Sequence, residues 1–228
     1  MTEGELSDYD LDTSTRNVTV GLYDITAWLS GKQGDDYKTS YMYTFLMEKF
    51  DNNENVAKSY ALRLLIHYVG DIVQPFHCET AYSSEYPSGD KGANLFPIPY
   101  HYGVDELHAL WDPVMYTQRN FSARPFTNTT WDEFQPQVDT MMTDYSYAVE
   151  DPAVYESLNF DSWALESLAI AETLYDGVTE NEPVPQEYLD KNIPVANERL
   201  TIGGYRLYYV ISFIFSPAVL ELPTEFLQ

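Results

Sequence analysis

Apolar side chains recur along this chain at helical intervals, and no segment alternates apolar and polar residues as a half-buried strand would. The clearest element is Lys58–Val73. Its Ala61, Leu62, Leu64, Leu65, Tyr68, Val69 and Ile72 cover almost the whole circumference of a helix, which predicts burial on all sides. Pro75 closes it. Before it, Asn17–Leu29 fits a helix through Val20, Tyr23, Ile25, Ala27 and Trp28, and Gly31 and Gly34 punctuate the turn that follows. A second apolar cluster spans Tyr37–Phe50 and runs into the loop sequence DNNEN. Cys78–Tyr102, rich in Pro, Gly, Ser and Tyr, reads as one long irregular segment, a feature that inside a domain usually carries function. A short helix is expected over Val104–Asp112 and a loop over residues 117–130. Further helices are expected near Phe134–Val149, Ser162–Val178 and Asn197–Phe215, with Pro183, Pro185 and Pro194 breaking the last two. The pattern predicts an all-α fold in a single domain over residues 1–228, with residues 1–16 as a flexible tail.

Charge narrows the choice of partners. Lys and Arg number 12 against 36 Asp and Glu, a formal net charge of −24 over 228 residues. Such a surface repels polyanions, so a nucleic acid or phosphate ligand requires a local positive centre, most simply a metal ion. The single cysteine, Cys78, excludes an intrachain disulfide. No basic stretch followed by an apolar run marks a signal peptide, and no segment reaches the roughly 18 apolar residues that span a bilayer. Asn-x-Ser/Thr sequons begin at Asn17, Asn120 and Asn128, which makes glycosylation an expectation.

The four histidines lie between positions 67 and 108. His67 and Asp71 stand four apart on the Lys58–Val73 helix, and His108 and Asp112 repeat the spacing on the next one. Residues four apart share a helical face, so each pair presents an imidazole nitrogen and a carboxylate oxygen toward one point. His77 follows just past Pro75. Neutral imidazole with carboxylate suits zinc, at about 2.0–2.2 Å. A single pair of this kind is more often a charge-assisted contact; two pairs and a third histidine close together favour a metal.

The segment His67-Tyr-Val-Gly70-Asp71-Ile-Val-Gln74-Pro75-Phe-His77 resembles the HxxGDxxQPLH motif of the trinuclear-zinc, class I nucleases, which share an all-helical fold with zinc-dependent phospholipase C. Asp90-Lys-Gly92-Ala93-Asn94 is similar to that family's D-x-G-G-N, with Ala93 in place of the second Gly. Leu107-His108-Ala-Leu-Trp111-Asp112 is similar to its N-L-H-x-x-W-D, with Glu106 for the Asn. Trp163-Ala164-x-Glu166-Ser167 and Gly203-Gly204-Tyr205-Arg206-Leu207 resemble its later W-A-x-E-S and A-G-x-R-L patterns. The resemblance implies that His67 and Asp71 serve a close zinc pair, with Asp71 as the bridging, catalytic carboxylate. It implies a third zinc on His77, His108 and Asp112. Asn94 either touches substrate or braces its loop. The implied reaction is hydrolysis of phosphoester bonds in single-stranded DNA or RNA, and in 3′-nucleotides, with the zinc pair lowering the pKa of a shared water. It further implies a secreted or endomembrane-lumenal setting, no stable membrane association and no protein partner.

In this family the zinc pair also draws on an N-terminal Trp amine, a nearby His, and an Asp and a His ahead of HxxGD. No histidine precedes His67 here, and His101 matches no family ligand. The expectation is an N-terminally incomplete domain with one complete zinc site of up to three. Two other readings stay open: a zinc-binding helical relic without catalysis, and a phospholipase C-type phosphoesterase.

Overall fold

The computed structural model describes residues 17–32, 34–118 and 127–216. The chain forms helices α1 (Val18–Ser30), α2 (Tyr41–Lys49), α3 (Glu54–Val73), α4 (Leu107–Trp111), α5 (Asn128–Asp144), α6 (Phe160–Ala171) and α7 (Gln186–Phe215). A single hairpin, β1 (Pro97–His101) with β2 (Val104–Glu106), is the only sheet among the described residues. The fold is all-α, as the periodicity predicts. Polar residues start several of these helices: the side-chain oxygens of Asn17, Ser40, Asn53 and Asn159 accept from backbone amides of the first turns of α1, α2, α3 and α6.

Two apolar clusters hold the molecule together. The first joins α1, α2, α3, α6 and α7 through Leu22, Ile25, Trp28, Leu46, Leu65, Val69, Ile72, Trp163, Val210 and Phe213. The second gathers Phe76, Ala93, Ile98, Leu107, Leu110, Trp111, Leu174 and Tyr188 around the hairpin and α4. They meet where α3 ends, and Pro75–Cys78 forms a 3-10 turn there.

Several expectations are corrected. Helix α3 is not buried all round: Ala57, Ala61, Leu65, Val69 and Ile72 form its covered stripe, while Ile66 is 45% exposed. The segment read as irregular to Tyr102 ends in the hairpin, and the helix expected from Val104 begins only at Leu107. The turn residues Tyr102 and Gly103 both have positive φ (51° and 89°), as a tight two-residue hairpin turn requires. A tyrosine in the place usually taken by Asn or Asp hid that turn from the sequence reading. Helix α5 starts at Asn128, inside the expected loop, whose residues 119–126 lie outside the described residues. Helix α6 stops at Ala171, short of the expected end. Helix α7 runs through Pro194. Asp190, whose carbonyl loses its helical donor there, is an exposed residue, so the break falls on the solvent side of the helix. The expected tail, residues 1–16, lies outside the described residues. Among the described residues no helix is long and apolar enough to cross a membrane.

Candidate metal centre

The site is built at the exit of α3. Gln74 turns the chain: its Oε1 accepts from the Phe76 amide at 2.6 Å, capping the 3-10 turn that Pro75 begins. Phe76 is buried edge-on against Trp111 and Tyr175, with ring centroids 6.0 and 5.3 Å away. With Phe76 anchored, His77 stands at the rim. The other ligand-bearing element, α4, buries Leu107, Leu110 and Trp111. Trp111 is locked by a bond from its Nε1 to Tyr188 Oη (3.0 Å), which in turn donates to Leu174 O (2.9 Å). His108 and Asp112, one turn apart, are thereby fixed opposite His77.

His77, His108 and Asp112 each offer one ligand atom, and these atoms lie within 4.8 Å of one another. It is the only such group of three among the described residues. His108 is buried, and its Nδ1 lies 2.7 Å from Gly92 O. A carbonyl only accepts, so Nδ1 carries the proton and Nε2 presents a lone pair. Gln74 Nε2 finds that lone pair at 3.4 Å and Asp112 Oδ1 at 3.2 Å. One amide group thus donates toward both, so imidazole and carboxylate aim at a common point. Burial lowers the His77 pKa against the pull of Asp71, and nearby His108 lowers it further, so the imidazole is neutral near pH 7. Two imidazoles and a carboxylate converging in this way fit a borderline divalent cation.

Asp71 joins this group to His67. Its Oδ2 lies 3.2 Å from His67 Nε2 and its Oδ1 3.7 Å from His77 Nε2. The spacing predicted from sequence is therefore realised, but His67 remains 66% exposed in its side chain and belongs to no group of three among the described residues. Asp71 and His77 form a wall shared by two hollows. One, of about 140 Å³, is also lined by Gln74, Trp111, Asp112 and Arg199. The other, of about 210 Å³, lies against Gly21, Tyr41 and Tyr68.

The segment before the hairpin supports the centre from behind. Asp90 is buried; its Oδ1 accepts from the Ala81 amide at 2.9 Å and its Oδ2 from Tyr175 Oη at 2.6 Å. This pins the turn that delivers Gly92 O to His108. Asn94, a candidate substrate contact, donates from Nδ2 to Lys91 O at 2.7 Å and so braces its own loop. His101 packs with Tyr102 and Tyr116, outside the group of three. Sequence reasoning gave no role to Gln74 or to the Gly92 carbonyl. Gln74 stood inside the quoted motif, whereas a backbone carbonyl leaves no side-chain signal.

Comparison with known proteins places the chain in a family. The sequence is similar to three endonucleases of Arabidopsis thaliana. Endonuclease 2 is 28% identical over 157 residues, covering 68% of this chain and 51% of the relative. Endonuclease 5 is 25% identical over 181 residues, covering 75% and 57%. Endonuclease 4 is 25% identical over 188 residues, covering 77% and 58%. The chain thus spans little more than half the length of the curated relatives it matches. The sequence model of one family matches residues 36–216, which contain α2 to α7 and every residue of the centre: the chain belongs to the S1/P1 nuclease family.

Proposed function

We propose that this centre hydrolyses phosphodiester bonds of single-stranded nucleic acid, and the phosphate ester of 3′-nucleotides, with zinc as its cofactor. The convergence of His77, His108 and Asp112 on one point carries the reading. These three residues would hold one zinc, and His67 and Asp71 would contribute to further zinc binding on the other side of the wall. Bound zinc supplies a Lewis acid that draws negative charge from a phosphate oxygen. It also supplies the positive centre that a chain of net charge −24 needs in order to approach a polyanion.

The chain's own residues prepare the site. Gly92 O holds the proton of His108 on Nδ1 and thereby directs Nε2 into the centre. Gln74 Nε2 lies 3.4 Å from His108 Nε2 and 3.2 Å from Asp112 Oδ1, and would yield the imidazole lone pair to a bound zinc. Asp71 stands between two imidazoles, 3.2 Å from His67 Nε2 and 3.7 Å from His77 Nε2. A secreted or lumenal setting follows from the family resemblance, and the sequon residues Asn17 and Asn128 are exposed and accessible to a glycan.

The test is direct. Zinc content is measured on the full 228-residue chain, which is then assayed with single-stranded DNA, 3′-AMP and phosphatidylcholine vesicles in parallel. Bound zinc, turnover of the first two substrates, and loss of turnover with a chelator or in Asp71→Asn are the expected results. Stoichiometric zinc without turnover would identify a binding relic, and turnover confined to the lipid would identify a phospholipase C-type enzyme. A chain that takes up no zinc would remove the basis of the reading.

A further inference from the structure

Two arginines on α7 are almost wholly buried: Arg199 is 5% exposed and Arg206 0%. Both reach Glu166 of α6, Arg199 Nη1 at 3.2 Å and Arg206 Nη2 at 2.5 Å. The Arg206 guanidinium lies 4.6 Å over the Trp163 ring. These residues include the matches to the W-A-x-E-S and A-G-x-R-L patterns, to which the proposed chemistry gives no part.

The far end of this network meets the end of α3. Helix ends leave their last carbonyls without helical donors. Here Ser167 Oγ donates to Ile72 O at 2.5 Å and Arg199 Nε donates to Val73 O at 3.2 Å. Arg199 Nη2 also donates to Ser167 Oγ at 2.9 Å, so the two donors are themselves tied. A flat fork serves this arrangement, and a lysine ammonium cannot reproduce it. Gly203 permits it: a Cβ there would lie 2.9 Å from Val73 Cγ2, so a side chain would push α7 off α3. Val73 sits between Asp71 and His77 in sequence, and Arg199 lines the same hollow as Asp71, His77 and Asp112.

We propose that Arg199 is a positioning residue of the metal centre: from α7 it holds the last carbonyl of α3 and so sets the angle at which the chain passes from Asp71 to His77. Stability alone is a poor reason for the cluster. Two guanidinium groups share one carboxylate, and Arg206 Nη1 is buried without a hydrogen-bond partner among the described residues. Glu166 itself is 43% exposed in its side chain, so the partly solvated carboxylate repays little of the cost of burying two guanidinium groups. What apolar packing does not supply is direction at two adjacent carbonyls.

The proposal rests on the metal reading of the centre, and the experiment separates the two. Co²⁺ is titrated into the full chain, its affinity and visible d–d spectrum are recorded, and thermal unfolding is followed by circular dichroism. Arg199→Lys keeps the charge but loses the fork; the expected result is about a tenfold or greater loss of Co²⁺ affinity with an altered spectrum. Leu46→Ala, in the same core cluster but outside the hollow, is expected to lower Tm and leave cobalt binding unchanged. If Arg199→Lys does not fold, Ser167→Ala decides, with a smaller loss of the same kind expected. Wild-type affinity and spectrum in the folded Arg199 variant, or in Ser167→Ala, would overturn the proposal. So would an equal loss in Leu46→Ala. Wild-type protein that takes up no cobalt would sink the metal reading and the positioning role with it.

Discussion

Gly92→Ala should damage both stability and the metal centre, because one glycine meets two separate demands. Its φ is +62°, in the left-handed region, where a Cβ costs about 1–2 kcal/mol. An added Cβ would also lie 2.1 Å from Phe76 O, inside the 3.0 Å that real Cβ atoms respect. The obstacle is backbone in the turn that carries His77, so it cannot swing aside as a side chain would. Opening the gap by about 0.9 Å (the difference between those two distances) must move the 90–94 loop or the turn. Either shift strains the 2.7 Å bond between Gly92 O and His108 Nδ1, a buried bond whose loss costs about 1–3 kcal/mol.

Together these effects amount to roughly 2–5 kcal/mol, or a fall in Tm on the order of 10 °C for a chain of this size. Urea denaturation and a melting curve measure it, and a zinc titration on the same sample reports the loss of His108 orientation. The neighbouring residue is the control. Ala93 has φ +61° and is fully buried. Ala93→Gly relieves backbone strain but removes one buried methyl worth about 0.8 kcal/mol and adds unfolded-state freedom worth about 0.5–1 kcal/mol. Those terms nearly cancel, so its net effect should stay within about 1 kcal/mol. If Gly92→Ala were as mild as Ala93→Gly, the close approach of loop and turn would be wrong.

Asp90→Asn should cost roughly 2–4 kcal/mol by urea denaturation, since the amide would turn an N–H toward one of the donors at Ala81 and Tyr175; a stability equal to wild type would count against the buried anchor. Tyr188→Phe should cost about 2 kcal/mol at pH 8 by leaving Trp111 Nε1 and Leu174 O unpartnered. Burial pushes the Tyr188 phenol up to about 12, so between its unfolded value of 10 and that pH the folded state holds a proton the unfolded state has lost. The contribution is therefore complete below pH 10 and fades as pH rises toward 12; melting curves at pH 8 and 11 should show the gap between wild type and variant closing. His77→Ala should remove one zinc per chain by elemental analysis while leaving the far-ultraviolet helical signal intact, because its side chain is a third exposed and sits at the rim.

The candidate ligand set was legible in the sequence because it depends on side-chain type and helical spacing. The pairs His67/Asp71 and His108/Asp112 stand where a period of 3.6 puts them, and His77 lies just past the proline that ends α3. The geometry around them was not legible, for three physical reasons. The extent of burial of α3 depends on what packs against it, so a helix apolar on most sides still leaves Ile66 and His67 in solvent. Helix α7 passes Pro194 because the freed carbonyl belongs to an exposed residue, a circumstance that propensity does not encode. The hairpin turn at Tyr102-Gly103 uses positive φ at a residue type that rarely adopts it. The supports for the ligands come from far along the chain: Gly92 O for His108, and Arg199, 126 residues from Val73, for the end of α3.

That division explains why the later motifs sit in elements that bear no ligand. A metal centre assembled from a helix end, a 3-10 turn and a one-and-a-half-turn helix has little rigidity of its own. Each piece is short, and short helices are marginal without tertiary support. Rigidity must be imported, and the imports are visible: Tyr188 to Trp111 for α4, Tyr175 to Asp90 for the loop, and Ser167 with Arg199 for the carbonyls of α3. All four of these supporting side chains lie beyond residue 160, on α6, on α7 or in the segment between them. The first half of the chain presents the candidate ligands, and the second half supplies the side chains that hold their elements, Tyr188 by accepting from Trp111 and the others by donating to Asp90, Ile72 and Val73. A substitution in the second half that leaves every candidate ligand untouched should therefore still loosen the centre, and the mildest such changes, Tyr175→Phe and Ser167→Ala, remove single bonds of that scaffold without opening a cavity large enough to confuse the result.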